Sequence, residues 1–111
     1  MSTFPAKTAV INVAAATTIE VVAAVTGTRI RVFSIHFRTT VAKTVTWRSA
    51  TTAISGAERY NANSACELAV APLDGSTFLL QTASGEALNL NLSSTATAFN
   101  GWIAYYEYKG T

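Results

Sequence analysis

Hydrophobic and polar residues alternate most regularly in the last third of the chain. Leucines stand at Leu88, Leu90 and Leu92, with an asparagine between each pair. A period of two places all three leucines on one face of a pleated strand, so we predict that they belong to the core. The following run, Phe99–Tyr108, is rich in aromatic residues, which favour strands. Together the two runs predict a hairpin of two long strands within Thr82–Tyr108.

The two faces of the second run have different predicted roles. The first face comprises Phe99, Gly101, Ile103 and Tyr105, and the second comprises Trp102, Ala104, Tyr106 and Tyr108. We predict that the first face packs on the leucines and that the second contacts a neighbouring subunit. Trp102→Ala or Tyr106→Ala is therefore expected to loosen assembly more than folding.

The stretch Thr28–Thr39 changes the parity of its hydrophobic positions. These positions are Ile30 and Val32 before the change, and Phe33, Ile35 and Phe37 after it. One continuous pleat cannot bury both sets on the same side. Either a β-bulge near Val32 and Phe33 resets the register, or the strand passes into a second buried environment such as a subunit interface. The pattern favours the bulge.

Shorter runs predict further strands separated by turns. The additional strands are Lys7–Val13, Thr17–Val25, Lys43–Ala50, Thr51–Ser55, Cys66–Ala71 and Phe78–Gln81. Turns are predicted at Thr26-Gly27, Asp74-Gly75 and Ser84-Gly85, and within the polar patch Glu58–Ser64. This gives eight or nine short strands at spacings of roughly 8–12 residues and no amphipathic helix.

The strand pattern predicts an all-β protein with an antiparallel, jelly-roll-like β-sandwich. An immunoglobulin-like strand order fits the same pattern. A length of 111 residues suits one domain, which we place at residues 7–111. Residues 1–6 contain Phe4 and Pro5 without strand periodicity, so we expect an arm that is disordered or lies on a neighbour.

Composition and charge point toward contacts with other proteins. Only 13% of the residues are charged, about half the usual share, and the chain contains 20 alanines and 17 threonines. Such a composition fits flat contact surfaces, or a threonine-rich sheet face in solvent. Residues 21–57 carry five basic and no acidic side chains, whereas residues 58–111 carry a net charge of −3. This asymmetry fits head-to-tail complementarity, an acidic partner, or ordinary solvated strand faces.

Candidate chemistry is sparse. His36 is the single histidine, and we predict that it is partly buried and has a structural role. The alternative is that His36 side chains from several subunits meet on a symmetry axis and there bind an ion or respond to pH. Cys66 is the single cysteine, so no intrachain disulfide can form, and a small buried hydrophobe is its predicted role. No zinc pattern, carboxylate pair, phosphate-binding glycine motif or nucleophile elbow is found. We therefore predict a protein that is not an enzyme and uses no cofactor or metal.

We do not expect this protein to span a membrane, to be exported by a secretory signal or to bind nucleic acid. No apolar stretch approaches the ~20 residues of a membrane helix, and the N-terminus lacks the features of a secretory signal. Arg29–Arg38 interleaves basic residues with Phe33 and Phe37, as a base-stacking surface would, but a net charge of +2 is far below that of nucleic-acid-binding proteins. Carbohydrate binding through exposed aromatic residues of the last strand is a further alternative.

Three runs resemble a known class of proteins. They are VTGTRIRVFSIHF (Val25–Phe37), TTAISG (Thr51–Gly56) and TASGEALNLNLSSTATAFNGWIAYYEY (Thr82–Tyr108), which together cover 46 of 111 residues. In texture they resemble small virion proteins of tailed bacteriophages, in particular capsid decoration, or cement, proteins. The resemblance implies a jelly-roll-like domain, made in the host cytoplasm, that forms a homotrimer and stabilises the major capsid protein lattice on the outer capsid surface. It leaves open a tail-associated, fibre-associated or carbohydrate-binding β-domain.

Contacts with subunits or with the lattice are predicted at eight residues. They are Phe4, Pro5, Arg29, Arg31, His36, Trp102, Tyr106 and Tyr108. Deletion of Met1–Ala6 is expected to weaken attachment and to leave the melting temperature nearly unchanged.

Overall fold

Antiparallel strands make up the regular structure of this protein. The structure, a computed structural model, describes residues 6–13, 16–70, 77–96 and 99–109. The strands are β1 (Lys7–Val13), β2 (Ala16–Val22), β3 (Arg29–Thr39), β4 (Lys43–Ser49), β5 (Thr52–Ala53), β6 (Glu58–Tyr60), β7 (Ser64–Ala69), β8 (Leu80–Gln81), β9 (Leu88–Ala96) and β10 (Phe99–Tyr108). The described residues contain no helix, and the prediction of an all-β fold is confirmed.

The strands form two antiparallel sheets that enclose one core. Sheet I has the order β1-β10-β3-β7, with β8 also paired to β3, and sheet II has the order β2-β9-β4-β5, with β6 also paired to β4. When the short β6 and β8 are set aside, the first strand pairs with the last, the second with the last but one, and so on inward. This nested pairing is the strand order of a jelly roll, so the predicted antiparallel sandwich is confirmed.

The predicted hairpin of the last two strands is wrong. β9 lies between β2 and β4 in sheet II, whereas β10 lies between β1 and β3 in sheet I. The chain therefore changes sheets between β9 and β10. The leucines of β9 share one core with Phe99 and Ile103 of β10, but they meet across the sandwich and not within one sheet. Alternation shows which side of a strand is buried, but it does not show which strand is its neighbour.

β3 contains the bulge that its change of parity predicts. Ala104 and Tyr105 follow each other on β10, but their partners on β3 are Ser34 and Val32. Phe33 is therefore an extra residue on β3. The buried residues of β3 include Ile30 and Val32 before the bulge, and Ile35 and Phe37 after it. The extra residue thus allows both halves of β3 to face the same core.

The core lies between the two sheets and includes the predicted leucine face. Leu88, Leu90 and Leu92 are each at most 3% exposed. Trp47 and Cys66 are also buried, which confirms their predicted positions. The core further contains Ile11, Val22, Ile30, Val32, Ile35, Phe37, Val45, Phe99 and Ile103.

One glycine permits the close approach of β10 to β3. Gly101 is opposite Phe37 in the strand register. A Cβ atom at this position would lie 2.0 Å from the His36 carbonyl oxygen and 2.5 Å from the Phe37 Cα. Any side chain would therefore collide with backbone atoms. The same approach places the next residue, Trp102, opposite His36.

Some predicted boundaries need correction. The polar patch Glu58–Ser64 contains β6 and the first residue of β7, so the described residues form ten strands and not eight or nine. β6 has only three residues, which is too short to show a recognisable alternation. The predicted turns at Gly27 and Gly85 are confirmed, since both glycines have a positive φ. Asp74-Gly75, Phe4 and Pro5 lie outside the described residues.

Candidate interaction surface

Twelve residues on the outward side of sheet I lie in adjacent rows, and we call this surface face I. Residues directly opposite each other in antiparallel strands point to the same side of the sheet, so the register aligns them in transverse rows. Taken in the order β1, β10, β3, β7, the rows are Asn12, Asn100, Arg38, Ala65; Val10, Trp102, His36, Glu67; and Thr8, Ala104, Ser34, Ala69.

The middle row contains the largest exposed hydrophobic side chain of face I. Trp102 is 42% exposed, and its neighbour on β1, Val10, is 75% exposed. On the other side the Trp102 ring stacks on the His36 imidazole, with ring centroids 5.3 Å apart. His36 Nδ1 in turn lies 3.1 Å from Glu67 Oε1, within ion-pair distance. These contacts hold the indole in place, and a rigid aromatic ring loses little conformational entropy when a partner covers it.

The rows on either side of Trp102 consist mainly of small or uncharged side chains. The small residues among them are Thr8, Ser34, Ala65, Ala69 and Ala104. Arg38 and Glu67 are the two side chains of face I with a permanent charge at neutral pH. An aromatic centre with few charges around it is the usual composition of the core of a protein interface.

The outward side of sheet II is polar by comparison. Its rows include Thr18, Asn91 and Thr46, and Glu20, Asn89 and Arg48. The side-chain amide of Asn91 donates to Thr18 Oγ1 at 2.9 Å, and that of Asn89 donates to the carbonyl oxygen of Ala50 at 2.8 Å. None of the exposed large hydrophobic residues in the described part of the chain belongs to these rows. Face I is therefore the better candidate for a contact with another protein.

Arg31 and Tyr108, two of the predicted contact residues, bind within the chain. The Arg31 guanidinium carbon lies 3.7 Å from the centre of the Tyr108 ring and 4.8 Å from that of Phe78. Arg31 Nε also donates to Gln81 Oε1 at 2.6 Å. These cation–π contacts and the hydrogen bond hold the segment around β8 against sheet I. Arg31 and Tyr108 thus have a structural role in the chain itself.

The prediction that Tyr106 contacts a neighbouring subunit is wrong. Its side chain is only 1% exposed, its ring stacks on Phe33 with centroids 5.5 Å apart, and its hydroxyl donates a hydrogen bond to the Thr77 carbonyl oxygen. Tyr106 is therefore not available to a neighbouring subunit. Alternation places Tyr106 on the outward side of β10, but the segment before β8 covers this part of the sheet, and alternation cannot reveal such a cover.

Trp102 and His36 are the predicted contact residues that the structure brings together at the surface. Arg29 is half-buried, and its Nη1 donates to the Thr82 carbonyl oxygen at 3.4 Å. Sequence reasoning missed Val10, although the adjacent apolar pair Val10 and Ile11 carries a signal, since only one of the two can point into the core. Glu67 was missed because its position beside His36 depends on the pairing of β7 with β3.

The aromatic surfaces considered for other ligands are not assembled. Phe37 is 1% exposed, so it cannot stack on a nucleobase. All of β10 lies within the described residues, and Trp102 is its one exposed aromatic side chain; Tyr105 is half-buried and packs against the core. The line of exposed rings that a carbohydrate-binding face would need is therefore not formed by β10.

No family model, curated protein or solved structure matches this chain. Among the described residues, no group of three His, Cys, Asp or Glu side chains is arranged to hold a metal ion. That part of the chain also contains no helix long and apolar enough to cross a membrane.

Proposed function

We propose that this protein is a non-enzymatic structural protein of a tailed-phage virion, a capsid decoration protein that forms a homotrimer through face I. The observation that carries the proposal is the exposed indole of Trp102, which His36 holds beside Val10 in a face with few charges. Large aromatic side chains at the centre of a contact surface commonly dominate the binding energy of protein interfaces. Face I gives Trp102 such a central position.

The choice of the capsid as partner has separate support. Three sequence runs resemble capsid decoration proteins, and the jelly roll is common among viral capsid domains. The same fold also occurs in lectins and other proteins, so the fold supports the proposal by analogy alone. In this proposal the protein binds the major capsid protein lattice from outside and braces neighbouring capsomers.

The size of face I indicates that other segments contribute to assembly. Four strands about 4.8 Å apart and three rows about 6.8 Å apart give an area of about 400 Å². A stable interface buries about 800 Å² on each partner. Face I thus supplies about half of one interface. In our proposal the arm, residues 1–6 with Phe4 and Pro5, supplies further contacts with the lattice.

Solution mass and capsid binding test this proposal. Size-exclusion chromatography with light scattering should give the mass of a trimer for the native protein. Trp102→Ala should weaken association by about 30-fold or more, the effect of a residue at the centre of an interface, with a small change in melting temperature. Val41→Ala is the matched control, because Val41 is 40% exposed but lies in the turn between β3 and β4, and this variant should remain trimeric.

Binding to expanded capsids that lack the protein then identifies the partner. A native protein that is a monodisperse monomer without capsid affinity would overturn the proposal. A Trp102→Ala protein that remains a trimer would remove face I as the contact between subunits. Binding to purified tails or to a glycan array, in place of capsids, would favour a tail-associated or carbohydrate-binding domain.

A further inference from the structure

A cleft opens between the two sheets where both have interrupted edges. On sheet II, β6 pairs with Lys43–Val45 and β5 pairs with Arg48 and Ser49, so Trp47 lies between the two short strands. On sheet I, β7 and β8 pair with separate parts of β3, on either side of the bulge at Phe33. Residues of both sheets line the resulting cleft, which has a volume of about 200 Å³.

The walls of the cleft are largely apolar. Leu79 and Leu80 line it from the β8 segment, Leu68 from β7, and Trp47 and Tyr60 from sheet II. Leu68 is 48% exposed, while Trp47 is only 5% exposed. A half-exposed leucine above a buried indole forms an apolar surface that an incoming apolar group can cover.

The volume indicates the size of the group that fits. An apolar cavity of about 150 Å³ accepts benzene, and pockets for drug-sized ligands begin at about 300 Å³. The cleft of about 200 Å³ lies between these sizes. It therefore suits a single ring, such as one aromatic side chain.

A carboxylate at the cleft indicates the charge of the occupant. Glu58 lines the cleft and is exposed, and its Oε2 accepts a hydrogen bond from the Tyr60 hydroxyl at 3.1 Å. Burial, a hydrogen bond with Cys66 and the nearby Glu58 raise the pKa of Tyr60, so its hydroxyl stays a donor. Within the described residues Glu58 forms no ion pair. A carboxylate that forms no ion pair with a described residue and borders an apolar cleft favours a cation next to the inserted ring.

We propose that this cleft is an anchor site for a partner polypeptide that inserts one aromatic side chain between Trp47 and Leu68 and places an adjacent lysine or arginine beside Glu58. A pocket for a single ring offers little contact area to a free ligand, whereas protein interfaces use such pockets for their anchor residues. The site is distinct from face I, because its residues line the space between the sheets. It also does not depend on the capsid assignment, since any partner chain can carry this pair of residues.

Titration with short capped peptides, followed by NMR, tests the site. The probes are Gly-Phe-Lys-Gly, Gly-Phe-Glu-Gly and Gly-Ala-Lys-Gly. The Phe-Lys peptide should shift the indole signal of Trp47 and the methyl signals of Leu68, and it should bind about 2–5-fold more tightly than the Phe-Glu peptide. The Ala-Lys peptide, which lacks the ring, should not shift these signals.

Two carboxylate variants separate the roles of the ring and the cation. Glu58→Gln should remove the difference between the Phe-Lys and Phe-Glu peptides and retain ring binding, because Glu58 is exposed and its replacement leaves the walls intact. Glu20→Gln is the matched control on the outward side of sheet II, because Glu20 is exposed and lies in neither the cleft nor face I, and it should retain the difference. A preference that Glu58→Gln does not change would overturn the assignment of the cation to Glu58.

Cys66 provides a second readout in the native protein. It is the single cysteine of the chain and lines the cleft. The Phe-Lys peptide should therefore slow alkylation of Cys66 by iodoacetamide. Unchanged Trp47 signals with both Phe peptides would overturn the proposal. Binding of benzylamine without binding of the Phe-Lys peptide would also overturn it, because this result would assign the cleft to a free small molecule. Neither result bears on the proposed trimer or on its dependence on Trp102, which are tested separately.

Discussion

Replacement of Gly101 by alanine should destabilise this protein severely, because the new methyl group has no room. The Cβ atom would lie 2.0 Å from the His36 carbonyl oxygen and 2.5 Å from the Phe37 Cα. Non-bonded heavy atoms are comfortable at about 3.5 Å, so β10 and β3 would have to separate locally by about 1.5 Å. Both obstacles are backbone atoms, which cannot rotate away as a flexible side chain would.

The size of the effect follows from this separation. A backbone hydrogen bond of about 2.9 Å that lengthens by this amount is lost. Two or three ladder bonds at about 1 kcal/mol each, with about 1–3 kcal/mol for overpacking, give a destabilisation of about 3–6 kcal/mol. The whole stability of a domain is about 5–15 kcal/mol, so Gly101→Ala should approach unfolding at room temperature.

Urea unfolding followed by tryptophan fluorescence measures this change, since the chain contains two tryptophans. With a slope of about 2 kcal/mol per molar urea, the midpoint should fall by about 1.5–3 M. Gly56→Ala is the matched control, because no atom lies within 4 Å of its added Cβ. Its unfolding free energy should stay within about 0.5 kcal/mol of that of the native protein.

A small effect would contradict the reasoning. If the unfolding free energy of Gly101→Ala lies within about 1 kcal/mol of that of Gly56→Ala, β10 and β3 are not as close as described. The register that places Trp102 beside His36 would then also need revision. The result therefore bears on face I as well as on the fold.

Three further changes test individual contacts. Tyr106→Phe should lower the unfolding free energy measured in urea by about 1 kcal/mol, because it removes the hydrogen bond to the Thr77 carbonyl oxygen. The mass of the protein in solution should stay the same. A loss of assembly without a loss of stability would restore Tyr106 as an interface residue. Thr82→Val should lower the unfolding free energy by about 1–3 kcal/mol, because Thr82 Oγ1 accepts a buried hydrogen bond from the Ile30 amide at 2.9 Å. An unchanged unfolding free energy in the same assay would mean that another acceptor replaces Thr82 Oγ1. Tyr60→Phe tests pH dependence, because the raised pKa of Tyr60 means that the native state keeps a proton that the unfolded state releases above about pH 10. The unfolding free energy of the native protein should therefore fall with rising pH more steeply than that of Tyr60→Phe. Equal slopes for the two proteins in urea unfolding between about pH 8 and 11 would contradict the raised pKa.

Alternation along the sequence predicted burial well, because the side of a strand is a local property. Leu88, Leu90 and Leu92 are in the core, and the change of parity in β3 marks the bulge at Phe33. Both features depend on residues that are neighbours in sequence. A period of two is sufficient to detect them without knowledge of the partner strands.

Pairing between strands was not predictable in the same way. The short connection between β9 and β10 suggests a hairpin, but each strand has its neighbours in a different sheet. The row around Trp102 combines residues from four strands, so it becomes visible only when the register is known. The cover over Tyr106 and the cleft beside Trp47 likewise depend on contacts between segments far apart in sequence.

The pairing of the first strand with the last has a consequence for synthesis of the protein. β10 is the one sheet neighbour of β1 in the described residues, and some 90 residues separate the two strands. At about 5–20 residues per second, translation needs roughly 5–20 s to supply this partner. During this time β1, with Val10 and Ile11, has an unpaired edge that can aggregate. Slow translation or a shortage of chaperones should therefore reduce the yield of soluble protein, even though the finished sandwich has β1 firmly paired.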